Sequence, residues 1–344
     1  MVNPVTSFLA EYHNLMDNLS DPRVNNWPMM SSPLPTLAIC LFYAYFAKNL
    51  GPKMMKNRKP FQLKGVLIVY NLFQVCFSTW LFYEACVSGW AGKYSFRCQP
   101  VDYSDDPMAT RMARGCWWYY ISKFTEFFDT LFFILRKKDD QVTTLHVIHH
   151  GIMPFSVWSG VKFTPGGHST FFGLLNTFVH IIMYSYYLFS ALGPRFQKFL
   201  WWKKYLTALQ MVQFVLVMIH AFQLLFVECN YPRAFVWCIG LHAVMFYFLF
   251  TDFYKQAYIK KKAAQAKRVR SYRFNWKLFI STTTFKKQAC LSRKNTARRR
   301  REASTSTKTR SLSTSPPREI TMPSNRLACS AVLMEPHVIG ILII

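Results

Sequence analysis

Leu145-His146-Val147-Ile148-His149-His150 places three of the chain's nine histidines within five residues, in a run otherwise built of Val, Ile, Met, Phe and Trp. On a helix, positions i, i+3 and i+4 share a face, so the three imidazoles are expected to point the same way. Polar groups in apolar surroundings are costly unless they are hydrogen-bonded or put to use. Inside a bilayer such a cluster marks a functional site. The reading therefore turns on whether this chain crosses a membrane.

Composition says that it does. Of 344 residues, 51% are hydrophobic and only 17% charged, against roughly a quarter in soluble domains. The net charge is nevertheless +26, so the basic residues are unevenly placed. Many lie after Lys260, where Arg298, Arg299, Arg300 and Arg301 precede a Ser/Thr/Pro-rich stretch. Behind a hydrophobic body a basic tail marks the cytosolic side of a membrane, and no nucleic-acid partner is expected. Nine cysteines without a CxxC pair argue against a zinc framework. The first thirty residues lack the pattern of a cleavable signal peptide.

Seven apolar stretches, at about 34–50, 63–87, 116–136, 143–160, 169–192, 205–227 and 234–254, each approach the roughly 20 residues that cross a bilayer. The expectation is an all-α membrane protein with a lead-in over 1–30, a seven-helix domain over 31–260 and a disordered basic tail over 261–344. Loops after the odd-numbered spans are rich in Lys and Arg, which puts them in the cytosol and the N-terminus in the lumen or outside. Cys98 and Cys229 then share the oxidising side, where a disulfide is favoured over two free thiols.

Polar residues recur at helical spacing. Lys123, Glu126 and Thr130, with Asp129 beside them, form a stripe in the third span. Asn176, His180, Tyr184 and Tyr187 follow one face of the fifth, and Thr207, Gln210 and Gln213 open the sixth. Each alone could be packing: an ion pair that holds helices, a core histidine, or glutamines bonded to a neighbour. Together they fall at one depth, near the cytosolic end of four spans, and a shared site explains that better. A di-iron centre like that of membrane desaturases needs further histidine boxes. Here the other six histidines are isolated, so no metal is expected. A seven-helix receptor is the contrasting class, but the polar column opens towards the cytosol.

Lys123-x-x-Glu126-x-x-Asp129-Thr130, His146-x-x-His149-His150, His180-x-x-Met183-Tyr184-x-Tyr186-Tyr187 and Thr207-x-x-Gln210-x-x-Gln213 together resemble the very-long-chain fatty acid elongase family, the membrane 3-oxoacyl-CoA synthases. The resemblance covers roughly residues 30–260. It implies seven helices, six of them in a ring around a narrow acyl tunnel. It also implies condensation of a long-chain acyl-CoA with malonyl-CoA, without a cofactor, in the endoplasmic reticulum membrane. His149 is cast as nucleophile, His150, His180 and Gln210 as donors to an enolate, and His146 and Asp129 as orienting groups. Lys123, Glu126, Asn176, Tyr184, Tyr187 and Gln213 would support the site or bind substrate. The implied partners are membrane lipid and the other enzymes of the elongation cycle, and the family pattern is compatible with a homodimer. Many relatives end in a lysine-based retrieval signal, whereas Lys260, Lys261 and Lys262 are internal here.

Overall fold

The computed structural model describes residues 4–260, together with 272, 286, 288, 289 and 291–300. The chain divides into two units, Met1–Lys267 and Arg268–Ile344. All regular structure among the described residues is helical.

In the first unit, α1 (Pro4–His13) precedes α2 (Leu34–Tyr45), which runs on through a π turn at Phe46–Leu50 into the short α3 (Gly51–Met55). There follow α4 (Lys64–Ala85), α5 (Pro107–Thr125), α6 (Phe127–Leu135), α7 (Thr144–Phe163), α8 (Thr170–Leu192), the single turn α9 (Pro194–Gln197), α10 (Lys203–Phe222) and α11 (Arg233–Tyr254). The helix α4 packs on α8 and α5, α8 on α10, α10 on α11, α11 on α7, and α7 on α5. From the other side, α2 lies against α7.

Among the described residues, four helical stretches are long and apolar enough to cross a membrane: Lys64–Trp90, Gly167–Leu192, Lys203–Leu225 and Arg233–Ile259. The other three expected spans are helical too, but α2 is only 12 residues long. The α5 helix carries Arg111, Arg114 and Lys123, and α7 carries the histidines and Lys162, so polar residues dilute their apolar character. The third stretch also begins earlier than its hydropathy suggests. Asp106 caps α5, accepting hydrogen bonds from the amides of Met108 and Ala109, and Pro107 occupies the first helical position. A capping acid followed by proline starts a helix whatever the polarity of the next turn.

The two ends of this unit differ. At one, the segments after α3 and α6 meet: the Phe61 amide donates to Leu135 O, and Lys137 Nζ to Lys56 O. At the other, Cys98 and Cys229 form a disulfide with Cα atoms 5.7 Å apart, and the His168 amide donates to Gln99 O. The lead-in is built into the packing. Met16, Val24 and Met30 form a cluster with Tyr120 of α5 and Trp158 and Val161 of α7. Buried Lys162 donates to Asn25 Oδ1 at 2.6 Å, and the Asp21 amide to Lys162 O.

The disorder expected over 261–344 falls mostly outside the described residues. In the second unit, residues 291–300 are helical and exposed, with Thr296 Oγ1 donating to Ser292 O at 2.9 Å.

Candidate functional site

The site begins at a break in a helix. Between α5 and α6 the chain tightens at Glu126, whose amide donates to Ser122 O while the Asp129 amide donates to Glu126 O. Ser122 and Thr125 explain the break. Their hydroxyls donate to Tyr119 O and Ser122 O, both at 2.7 Å, and such back-bonding competes with the helical ladder. The turn sets Glu126 inward, 2% exposed.

Around this carboxylate the polar residues of three helices converge. Lys123 Nζ lies 2.6 Å from Glu126 Oε1 and donates to Asn176 Oδ1 at 3.1 Å. Tyr119 OH donates to the same Asn176 oxygen at 2.8 Å, and Asn176 Nδ2 lies 3.3 Å from His180 Nε2. His180 Nδ1 is 3.4 Å from Glu126 Oε1, and His150 Nδ1 is 3.8 Å from Oε2. At its distance His150 Nδ1 has no hydrogen-bond partner. A buried ion pair survives only when its remaining lone pairs and protons are satisfied, and Asn176 and His180 provide that here.

The histidine trio does not share one environment. His146 Nε2 is 2.7 Å from Thr130 Oγ1, which lies 2.7 Å from Tyr43 OH. His150 faces Glu126, with its ring 4.3 Å from that of His146. His149 turns instead towards α11, its ring 5.0 Å from Phe246 and 6.5 Å from Phe250. Successive helical residues are about 100° apart, so His149 and His150 diverge although i, i+3 and i+4 lie on the same broad face. One turn on, Pro154 sits inside α7 and cannot donate to the carbonyl of His150.

Asp129 is placed beside no imidazole. It accepts from Tyr184 OH at 2.7 Å, and Tyr184 packs against Tyr187 and against Tyr70 of α4. Gln210 donates to Met183 Sδ at 3.5 Å, and Gln213 is buried with its amide nitrogen unpartnered. The glutamines are therefore near the cluster without joining its hydrogen bonds. Among the described residues no three His, Cys, Asp or Glu side chains are grouped as a metal would need.

An apolar cavity of about 130 Å³ adjoins this network. Six helices wall it: Leu81 comes from α4, Tyr119 from α5, Met153 from α7, Phe172 from α8, Phe214 from α10 and Phe246 from α11. Tyr119 belongs both to the wall and to the Asn176 hydrogen bonds. Phe246 is both wall and neighbour of His149.

Residues 28–266 match the GNS1/SUR4 (ELO) family. The chain belongs to that family. It is 67% identical over 258 residues to very long chain fatty acid elongase 7 of Drosophila melanogaster, covering 75% of this chain and 78% of that one. Elongase 7 of Rattus norvegicus is 54% identical over 258 residues, 74% and 92% of the two chains. Human elongase 1 is 49% identical over 253 residues, 73% and 90%. The receptor and desaturase alternatives lapse with this membership.

Several residues of this ELO site were not singled out from sequence. Tyr119 stands four before Lys123, on the same helical face, and that spacing was the available signal. Thr130 sits within the quoted motif, but nothing in the motif says that it meets His146. Tyr43 and Tyr70 come from α2 and α4, and no local pattern marks them.

Proposed function

We propose that this chain is a very-long-chain 3-oxoacyl-CoA synthase. It condenses a long-chain acyl-CoA with malonyl-CoA, giving a 3-oxoacyl-CoA two carbons longer, carbon dioxide and CoA. One observation carries the reading in the geometry: a buried Lys–Glu–Asn–His network abuts an apolar cavity, with Tyr119 common to both and Phe246 joining the cavity wall to His149. The acyl tail occupies the cavity, which is the tunnel of a seven-span bundle. The cyclic packing of α4, α8, α10, α11, α7 and α5 supports a ring of six. The basic segments after α3, α6, α8 and α11 suit CoA phosphates and the malonyl carboxylate, with that end cytosolic, the N-terminus lumenal and the membrane that of the endoplasmic reticulum.

His149 is the nucleophile. A lone pair of its neutral imidazole attacks the thioester carbonyl, a C–N bond forms and the C–S bond breaks. The departing thiolate takes the remaining ring proton, leaving an acyl-imidazole and CoA. Malonyl-CoA then loses carbon dioxide, and the enolate carbon attacks the acyl carbonyl. A C–C bond forms, the C–N bond breaks, and the imidazole recovers a proton. Two features support the role: His149 borders the cavity wall at Phe246, and it forms no hydrogen bond among the described residues. His150 and His180, steadied by Glu126, are placed to donate to a developing oxyanion.

The test is intact-mass analysis of the full chain with acyl-CoA alone. The wild type should gain one acyl group and release one CoA, and His149→Ala should do neither. Acylation retained in His149→Ala refutes the assignment, whereas absence of malonyl-CoA-dependent elongation in the wild type would refute the synthase reading itself.

A further inference from the structure

Because α5 starts at Pro107, Arg111, Arg114 and Trp118 lie on one helical face at i, i+3 and i+7. Met112 and Ala113 between them turn inward and are buried. The outward face meets the last turns of α4, leaving a groove of about 580 Å³ walled by Trp80, Glu84, Asp105, Arg111, Arg114 and Trp118. Arg111 is committed: its guanidinium donates to both carboxylate oxygens of Glu84, at 2.7 and 3.0 Å. Arg114 is exposed and forms no ion pair or hydrogen bond among the described residues. Asp105 is likewise exposed, with no ion pair of its own within 4 Å. Trp80 and Trp118 meet edge to face at 5.8 Å, and each is about two-fifths exposed (39% and 40%).

The setting decides what such a groove meets. The α4 helix is long and apolar enough to cross a membrane, so its outward side faces lipid. Arg111 and Arg114 lie roughly 6 and 10 Å along the axis from Pro107 at 1.5 Å per residue. The headgroup layer is about 5–8 Å deep on each side of the hydrocarbon, and arginine extends its charge towards it. Trp118 and its partner Trp80 lie deeper, roughly 16 Å along, beside the glycerol and upper acyl chains of a lipid.

We propose that this groove binds the headgroup of a zwitterionic phospholipid, with its phosphate on Arg114 and its ammonium on Asp105, nearer the start of the helix. Guanidinium matches phosphate through paired hydrogen bonds, and the exposed Asp105 carboxylate attracts the opposite charge of the alkylammonium group. An anionic headgroup lacking the ammonium would leave Asp105 facing a phosphate. A free phosphate would leave the tryptophan walls uncovered.

The full chain, reconstituted in nanodiscs of equal phosphatidylcholine and phosphatidylglycerol, tests this by native mass spectrometry of retained lipid. The wild type should retain phosphatidylcholine over phosphatidylglycerol by about tenfold. Arg114→Gln should lose the retained lipid, and Asp105→Asn should shift preference towards phosphatidylglycerol. Both side chains are exposed, so melting temperatures should not move. Equal retention of the two lipids by the wild type, or undiminished phosphatidylcholine on Arg114→Gln, overturns the proposal.

Discussion

Two groups of buried histidines occupy this molecule, and their surroundings differ completely. At the break between α5 and α6, His150 and His180 face a carboxylate that is itself held by Lys123. At the disulfide end, His168 and His220 stack ring on ring, 3.8 Å apart and 9° from parallel, between Phe171, Trp90 and Tyr231. His168 Nε2 donates to His220 O, and no charged side chain pairs with either ring. The second pair behaves as aromatic packing with one satisfied hydrogen bond. Burial of histidine is common to both ends; a buried lysine and carboxylate beside it is not. On the proposed function, that difference, rather than the count of histidines, separates the reacting end from the structural one.

The sharpest way to break the comparison is Lys123→Ala. It leaves Glu126 as an uncompensated charge at 2% exposure, a loss that costs about 3–5 kcal/mol when a buried pair is broken. Elongation should fall to background, and the melting temperature in detergent should drop clearly. The double change Lys123→Met with Glu126→Gln removes both charges and should recover most of the stability, because apolar replacement of a buried pair is often neutral. Activity should stay lost. If the double variant elongates, the network is scaffold and the two ends are alike.

Cysteine removal probes the other end. Cys98→Ser opens a bridge spanning 131 residues. Entropy alone would suggest roughly 4–5 kcal/mol for such a loop. In a membrane, however, the helices remain largely confined when tertiary contacts are lost, so about 2 kcal/mol is expected. Melting should move and the rate per folded molecule should not, whereas Thr130→Val should lower the rate per folded molecule. That variant deletes the hydroxyl between Tyr43 and His146, two hydrogen bonds of about 0.5–1.5 kcal/mol each. It should lower melting as well, and it should lower kcat roughly tenfold through misorientation of His146.

How much of this was legible in advance follows from range. The polar faces of α5, α7, α8 and α10 were readable because helical spacing is local, and the depth argument brought the histidine trio, Glu126, Asp129, His180, Gln210 and Gln213 to one level. Pairing across helices was not readable. Asp129, cast only as an orienting group, meets Tyr184. Thr130 takes the histidine contact because the turn at Glu126 rotates α6 against α5. That turn depends on the Ser122 and Thr125 hydroxyls, which in sequence look like any others. The start of α5 was hidden for another reason: hydropathy marks where lipid begins, while Asp106 and Pro107 mark where the helix begins, and those are different places.

The smallest effect should come from His220→Phe, and it tests the comparison from its structural side. His220 Nε2 is buried without a partner, so the imidazole contributes its ring and forfeits a polar atom's solvation. Phenylalanine keeps the stacked shape against His168 and Phe171 and removes the unpaired nitrogen. Replacing an unsatisfied polar group with an apolar one of similar shape is nearly neutral or stabilising. The hydrogen bond from His168 goes to the backbone oxygen of residue 220, which the substitution leaves in place. Melting should therefore shift by an equivalent of about 1 kcal/mol or less, towards greater stability, with elongation unchanged. A large loss of activity would mean that the His168–His220 stack serves the reaction, and that partners in charge are not what distinguishes the two ends.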